Sequence, residues 1–175
     1  MADCIFGVDL GQSGGIAKLS LSGGEPRVWR MPTLPAPKGG GRVYDLPDIV
    51  RRLDSWAPDH VFIEAAQLKG KLPRQVLQAV AGTARCQALF EMACCVRSYS
   101  CTIVPARTWQ RTMFAGLGKV EDTKAASILV AKRLFPEVDL RPGMCRKDQD
   151  GLADAILIAE YGRRQLKEPC DEDQS

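Results

Sequence analysis

The chain has almost nothing from which to build a histidine or thiolate metal centre. It holds one histidine, His60, and its seven cysteines (Cys4, Cys86, Cys94, Cys95, Cys101, Cys145 and Cys170) form no C-x-x-C pair with zinc-ligand spacing. An odd set of cysteines lying mostly inside apolar runs reads as reduced, buried thiols, so a reducing compartment is expected, cytoplasmic or, after import, organellar. No stretch approaches the ~18 apolar residues of a membrane span. The opening MADCIFGVDLG has no basic segment leading into an apolar one, so neither membrane attachment nor export is expected. Internal repeats are absent as well.

What is present is ordinary globular composition: 175 residues, 45% hydrophobic and 26% charged. A chain of this length hides roughly 70% of its unfolded surface, enough for one core but hardly for two. One domain over residues 1–166 is therefore expected, followed by an acidic tail, 167–175, expected to be disordered. The tail masks a charge asymmetry. The net charge is +3, but without KEPCDEDQS the body carries 23 basic and 17 acidic residues. That excess suits a polyanionic partner and equally suits a solvated basic surface.

Along the chain, CIFGV is a short β-rich run ending at Asp9, and the turn LGQSGG leads into a second run, Ile16 to Leu21. Arg27 to Met31 reads as a third strand, and the Pro- and Gly-rich PTLPAPKGGGR after it as a mobile loop. Ile49, Val50 and Leu53 recur at helical spacing over Leu46 to Trp56, with Pro47 suited to the first turn and Pro58 ending the segment. His60 to Ile63 is a buried strand closed by Glu64. His60 itself reads as a loop or strand-edge residue. A long helix is expected from Gln75 to Val96, a strand over Cys101 to Val104, and three helices over Arg107 to Phe114, Thr123 to Phe135 and Asp150 to Gln165. A hairpin followed by parallel-type crossovers indicates an α/β protein with a mixed sheet and helices on its faces.

Four acids stand out by position: Asp9 and Glu64 each close a strand, and Asp150 and Asp154 lie on the last helix. Singly, Asp9 suits an Asx turn, Glu64 an exposed strand end and Asp150 a helix N-cap. Asp154 is harder to place on a surface, because ADAILIA surrounds it with apolar residues. Residues four apart share a helix face, so Asp150 and Asp154 point the same way. Ionised carboxylates packed together in apolar surroundings call for a cation, and an oxygen-only set suits Mg²⁺ or Mn²⁺ rather than zinc. Two such ions in a converged cluster would activate a water on one side of a phosphodiester and stabilise the leaving oxygen on the other.

The segments GVDLGQSGG, VFIEAA, TIVPARTWQRTMFAG with TKAASILVAKRLFP, and DGLADAILIAEYG resemble, in order, the successive motifs of RuvC-type Holliday junction resolvases of the ribonuclease H-like superfamily. The last two are most similar to the plastid and phage branch. No single motif is specific, but four in register over residues 4–165 are. The resemblance implies a five-stranded mixed sheet flanked by helices on both faces. It also implies a homodimer that nicks opposing strands of a four-way DNA junction in a metal-dependent reaction, leaving 5′-phosphate and 3′-hydroxyl ends. The metal ligands, for two Mg²⁺ ions that Mn²⁺ can replace, would be Asp9, Glu64, Asp150 and Asp154. Many relatives carry histidine where Asp150 stands, which leaves Asp148 as a rival. Lys124 matches a family lysine near the scissile phosphate better than Lys119 does. The basic residue that often follows the aromatic of TWQRT is Gln110 here, with Arg111 beside it.

Further DNA contacts are expected from Lys69, Lys71 and Arg74 in the segment after Glu64, and from Lys38 and Arg42 in the Gly-rich loop. Trp109 and Phe114 read as core rather than base-stacking residues. Small residues of the long helix (Ala81, Gly82, Thr83, Ala84, Ala88) suit close packing, against the sheet or in a twofold dimer. Three other readings compete. An actin-like or sugar-kinase ATPase shares the first loop pattern but needs a second domain and a second phosphate loop, so no nucleotide cofactor is expected. Another ribonuclease H-like nuclease, acting on branched DNA or RNA–DNA hybrids, shares the acids. A catalytically silent junction-binding module would not need them.

Overall fold

The computed structural model describes residues 3–37, 41–66, 74–143 and 145–167, and over 74–79 the backbone alone. Its centre is a five-stranded sheet made by β1 (Cys4–Asp9), β2 (Gly15–Ser20), β3 (Arg27–Arg30), β6 (His60–Glu64) and β7 (Ser100–Val104), in the order β3-β2-β1-β6-β7. The β1–β2 and β2–β3 pairs are antiparallel, and the β1–β6 and β6–β7 pairs are parallel. This is the mixed sheet expected from a hairpin followed by crossovers.

Alternation along the strands divides the core into two layers. On β1, Cys4, Phe6 and Val8 face a cluster that includes Ile49 and Leu53 of α1 (Leu46–Trp56) and Cys86, Phe90 and Cys94 of α2 (Arg74–Arg97). Ile5 faces the opposite cluster, shared with α3 (Ala106–Met113), α4 (Thr123–Leu134) and α5 (Asp150–Lys167). Residues two apart on a strand share a face, so Gly7 and Asp9 lie on the α5 side with Ile5. On β6 the same rule puts Glu64 on the side of Phe62, again towards α5.

Local chemistry sets the helix ends. Asp45 caps α1 by accepting from the Asp48 N–H at 3.2 Å, Pro47 sits in the first turn, and Ala57 in the left-handed region terminates it. Asp122 caps α4 by accepting from the N–H groups of Lys124 and Ala125. Along α5, every residue from Gly151 to Gly162 is buried except Asp154. The helix is the central post of its layer, and Gly7 is what lets it approach the sheet. A Cβ at position 7 would stand 2.2 Å from the Ala155 carbonyl oxygen and 2.3 Å from the Ala159 nitrogen.

Two expectations change. The loop after β3 is not structureless, because β4 (Thr33–Pro35) and β5 (Arg42–Tyr44) pair as a second, two-stranded sheet. Tertiary contacts invisible in the local pattern hold it: the Tyr44 hydroxyl donates to the Leu10 carbonyl at 2.7 Å, and the Arg42 guanidinium donates to Thr33 Oγ1 and to the Thr33 carbonyl. The cysteines are not all buried, since Cys95 lies on the outer face of α2 and Cys101 on the edge strand β7, both exposed; the described cysteines are all free thiols. Trp109 is core, as expected, and Phe114 packs partly buried against the same core, in an edge-to-face pair with ring centroids 5.8 Å apart. His60 opens β6 and shares a hydrogen bond with Thr102 Oγ1. Among the described residues no helix is long and apolar enough to cross a membrane. Of the expected tail 167–175, Lys167 closes α5, and the rest, with Cys170, lies outside the described residues.

Candidate active site

The parallel register of β1 and β6 aligns Val8 with Ile63. Asp9 and Glu64 follow by one residue on each strand, so the two acids stand side by side at the carboxyl ends of neighbouring strands, on the α5 face. The N-terminal half of α5 then delivers Asp150 and Asp154. The turn after β1 is shaped for this meeting: a Cβ at Gly151 would lie 2.4 Å from the Ser13 carbonyl oxygen and 3.0 Å from Asp9 Oδ2. Only a glycine lets the first turn of α5 rest on the turn that carries Asp9.

The four carboxyls act on one another electrostatically. Burial raises the Asp9 carboxyl above the ordinary carboxylate range; the Gly11 N–H, donating to Oδ1 at 3.0 Å, opposes the rise, and the Asp150 charge adds to it. Asp154 is pushed up to about 7, chiefly by burial and further by Asp9, Glu64 and Asp150, while the nearby Ser127 hydroxyl opposes the rise. Ser127 Oγ and Asp154 Oδ1 are both buried without a hydrogen bond of good geometry. Glu64 Oε2 accepts from the Trp109 indole N–H at 2.9 Å. Lys124, from the first turn of α4, places Nζ 2.8 Å from Asp150 Oδ2, and this contact raises the pKa of its ammonium.

These contacts separate the two rivals. Asp150 belongs with Asp9, Asp154 and Lys124, whereas Asp148 is held by Lys132 and Arg141. Of the expected DNA contacts, Lys119 pairs with Glu121 on an exposed surface, Arg111 is exposed on α3, and Arg42 is folded back on Thr33. Arg74 opens α2, but its side chain lies outside the described residues, as do Lys38, Lys69 and Lys71.

No family model matches the chain, and no curated protein does. Solved structures do. The RuvC of T. thermophilus in complex with a Holliday junction substrate is 12% identical, covers 93% of this chain and 95% of its own, and superposes with a TM-score of 0.55. This is the RuvC-type resolvase fold. The Thermus thermophilus RuvC structure (10% identity, 93% of this chain and 96% of its own, TM-score 0.58) and the yeast mitochondrial Holliday junction resolvase Ydc2 (13%, 93% and 78%, TM-score 0.58) agree. At such identities the likeness establishes the RuvC-type fold, and the chemistry has to be argued from the residues.

The residues fit a hard divalent cation. The donor set is carboxylate oxygen only, Asp154 Oδ1 is an orphaned buried acceptor, and two carboxyls are held above their ordinary range by burial and mutual repulsion. The fit is one of donor chemistry: among the described residues no three such side chains stand close enough together to hold an ion. Reading the sequence as strands and helices missed two residues at this site, Trp109 and Ser127. Trp109 reads as core and lies there; a buried tryptophan must find an acceptor for its N–H, and that need is the signal in the sequence.

Asp154 gives a pH-dependent prediction. A carboxyl that holds its proton more tightly folded than unfolded stabilises the fold fully below its unfolded value of 3.8, and this stabilisation is lost as pH rises towards about 7. Asp154→Asn should therefore raise the Tm of the metal-free protein at pH 8, by at most about 4 kcal/mol of stability, with the gain vanishing below pH 4. Thermal unfolding in chelator across that range checks it.

Proposed function

We propose that this protein is a structure-selective endonuclease that resolves four-way DNA junctions by paired, metal-dependent nicks, leaving 5′-phosphate and 3′-hydroxyl ends. The observation that carries the reading is the gathering of Asp9, Glu64, Asp150 and Asp154 on one face of a RuvC-type fold. Placement in the plastid and phage branch rests on the TKAAS and DGLADAILIAEYG segments.

In this reading the four carboxylates hold two Mg²⁺ ions, with Mn²⁺ able to substitute. When bound, such ions supply activation of the attacking water and neutralisation of charge on the leaving oxygen. The chain's own contributions are positional. Gly11 orients Asp9 through its N–H, the burial of α5 fixes Asp154, and Lys124 reaches the rim on a stem that is 73% exposed, where its ammonium can meet a phosphate. A second copy of the chain would supply the paired nick. Met92 and Val96, one turn apart on the outer face of α2 and 68% and 74% exposed, support a twofold contact there.

The test is incubation with an immobile four-way junction, its linear duplex and an RNA–DNA hybrid, each with Mg²⁺ and with chelator. Paired nicks confined to the junction and dependent on metal are expected. Cleavage of the hybrid, or of every substrate, would reassign the protein to another ribonuclease H-like nuclease; tight junction binding without cleavage would make it a binding module. Lys124→Ala should weaken junction binding and lower the slope of log affinity against log salt by about one unit. An unchanged slope would leave Lys124 a partner of Asp150 alone.

A further inference from the structure

The Glu64 carboxylate is held by a group that competes with neither substrate nor cation. Trp109 is fully buried on α3, and its indole N–H donates to Glu64 Oε2 at 2.9 Å across 45 residues of sequence. Indole nitrogen is a donor only, so in the core it must have an acceptor, and breaking this bond leaves it unsatisfied at a cost of about 1–3 kcal/mol. The ring cannot turn away, because it lies within the α5-side core and packs edge-to-face on Phe114. A carboxylate tied to such a ring is held at the end of β6 instead of sampling rotamers at the site's rim.

Two of the side-chain donors at the cluster differ in kind. Lys124 meets Asp150 with a full positive charge on an exposed stem, a contact that a divalent ion would have to displace or share. Trp109 meets Glu64 with a neutral dipole from a rigid position, which orients the ligand without bringing a charge of its own. We infer that Trp109 is a positioning residue, which fixes the Glu64 carboxylate for divalent-metal binding through its indole N–H. The inference rests on the metal-dependent reading of the acid cluster. It adds a requirement which that reading does not contain: α3, which supplies no ligand, sets metal affinity.

The test compares the full-length protein with Trp109→Phe, which keeps an aromatic ring in the core and removes the N–H. Mn²⁺ alone, titrated by electron paramagnetic resonance in the absence of DNA, should bind the variant about tenfold more weakly, in the range that loss of an outer-shell partner produces. The Mg²⁺ concentration for half-maximal junction cleavage should rise by a similar factor, while junction affinity in chelator stays within about twofold. If Mn²⁺ affinity and the Mg²⁺ midpoint are both unchanged, Trp109 is a core residue only, whatever happens to Tm. In case the variant does not fold, the wild-type protein carries a second readout. Of its three tryptophan indole N–H signals in a ¹⁵N correlation spectrum, that of Trp109 should move saturably with Mg²⁺ while those of Trp29 and Trp56 do not. A Trp109 signal indifferent to Mg²⁺ in a protein that binds Mn²⁺ would overturn the inference. Failure of the wild type to bind Mn²⁺ at all would instead overturn the metal-dependent function and the inference with it.

Discussion

Replacement of Asp9 by asparagine is expected to cut the single-turnover rate of junction cleavage at least about a thousandfold, a loss of about 4 kcal/mol of transition-state stabilisation. Junction affinity measured in chelator should stay within about threefold of wild type. The asparagine side chain keeps an oxygen to accept from the Gly11 N–H, so the turn that shapes the site survives. What disappears is the charge, and with it one hard ligand in a cluster that binds a cation only by pooling carboxylates. Binding is expected to belong to a different set of groups, the basic side chains that meet phosphates, which the substitution leaves alone. The variant should also fold at least as well as the wild type, because burial penalises the Asp9 charge. Equal losses of binding and cleavage would sink this division of labour, and retained cleavage would remove Asp9 from the active site.

The second large effect is one of stability. Gly7→Ala adds one methyl group, yet that carbon would meet the backbone of α5 at Ala155 and Ala159, at distances no relaxation of a flexible side chain can relieve. Either β1 or α5 must move, and both carry the core and the carboxylates. Overpacking between backbones should cost about 3 kcal/mol or more, equivalent to a fall of roughly 10 °C in Tm for a chain of this size. Gly82→Ala is the contrasting case. Its Cβ would meet only the Tyr44 ring, at 3.8 Å, and in the interior of α2 it should gain up to about 1 kcal/mol. Thermal unfolding of the two variants decides the matter; a Gly7→Ala protein as stable as wild type would mean that α5 does not lie where its contacts place it.

Much of the site was legible because its periodicities are local. Strand-closing acids after CIFGV and VFI, and two aspartates four apart in ADAILIA, follow from alternation and helical spacing alone. The hairpin β4–β5 was not legible, since PTLPAPKGGGR has the composition of a loop. The pairing is held instead by Tyr44 reaching Leu10 and by Arg42 bonding Thr33. Nor did spacing decide between Asp148 and Asp150, because both lie near the start of one helix. Pairing of Asp148 with Lys132 and Arg141 removes it from the cluster, and only the packing of α4 and of the segment before α5 creates that pairing.

The amino-acid order by itself determined the strands of the main sheet and the helices, which face of each is apolar, and that two acids close strands while two share a face of the last helix. These are consequences of short-range sterics and of hiding apolar surface, which act within a few residues of chain. Only the tertiary structure decided how the acids meet and what holds them: β1 against β6 in register, α5 seated on Gly7 and Gly151, the Lys124 ammonium on Asp150, and the Trp109 N–H on Glu64. Those contacts join residues far apart in the chain, and their energies exist only once the backbone has closed around them.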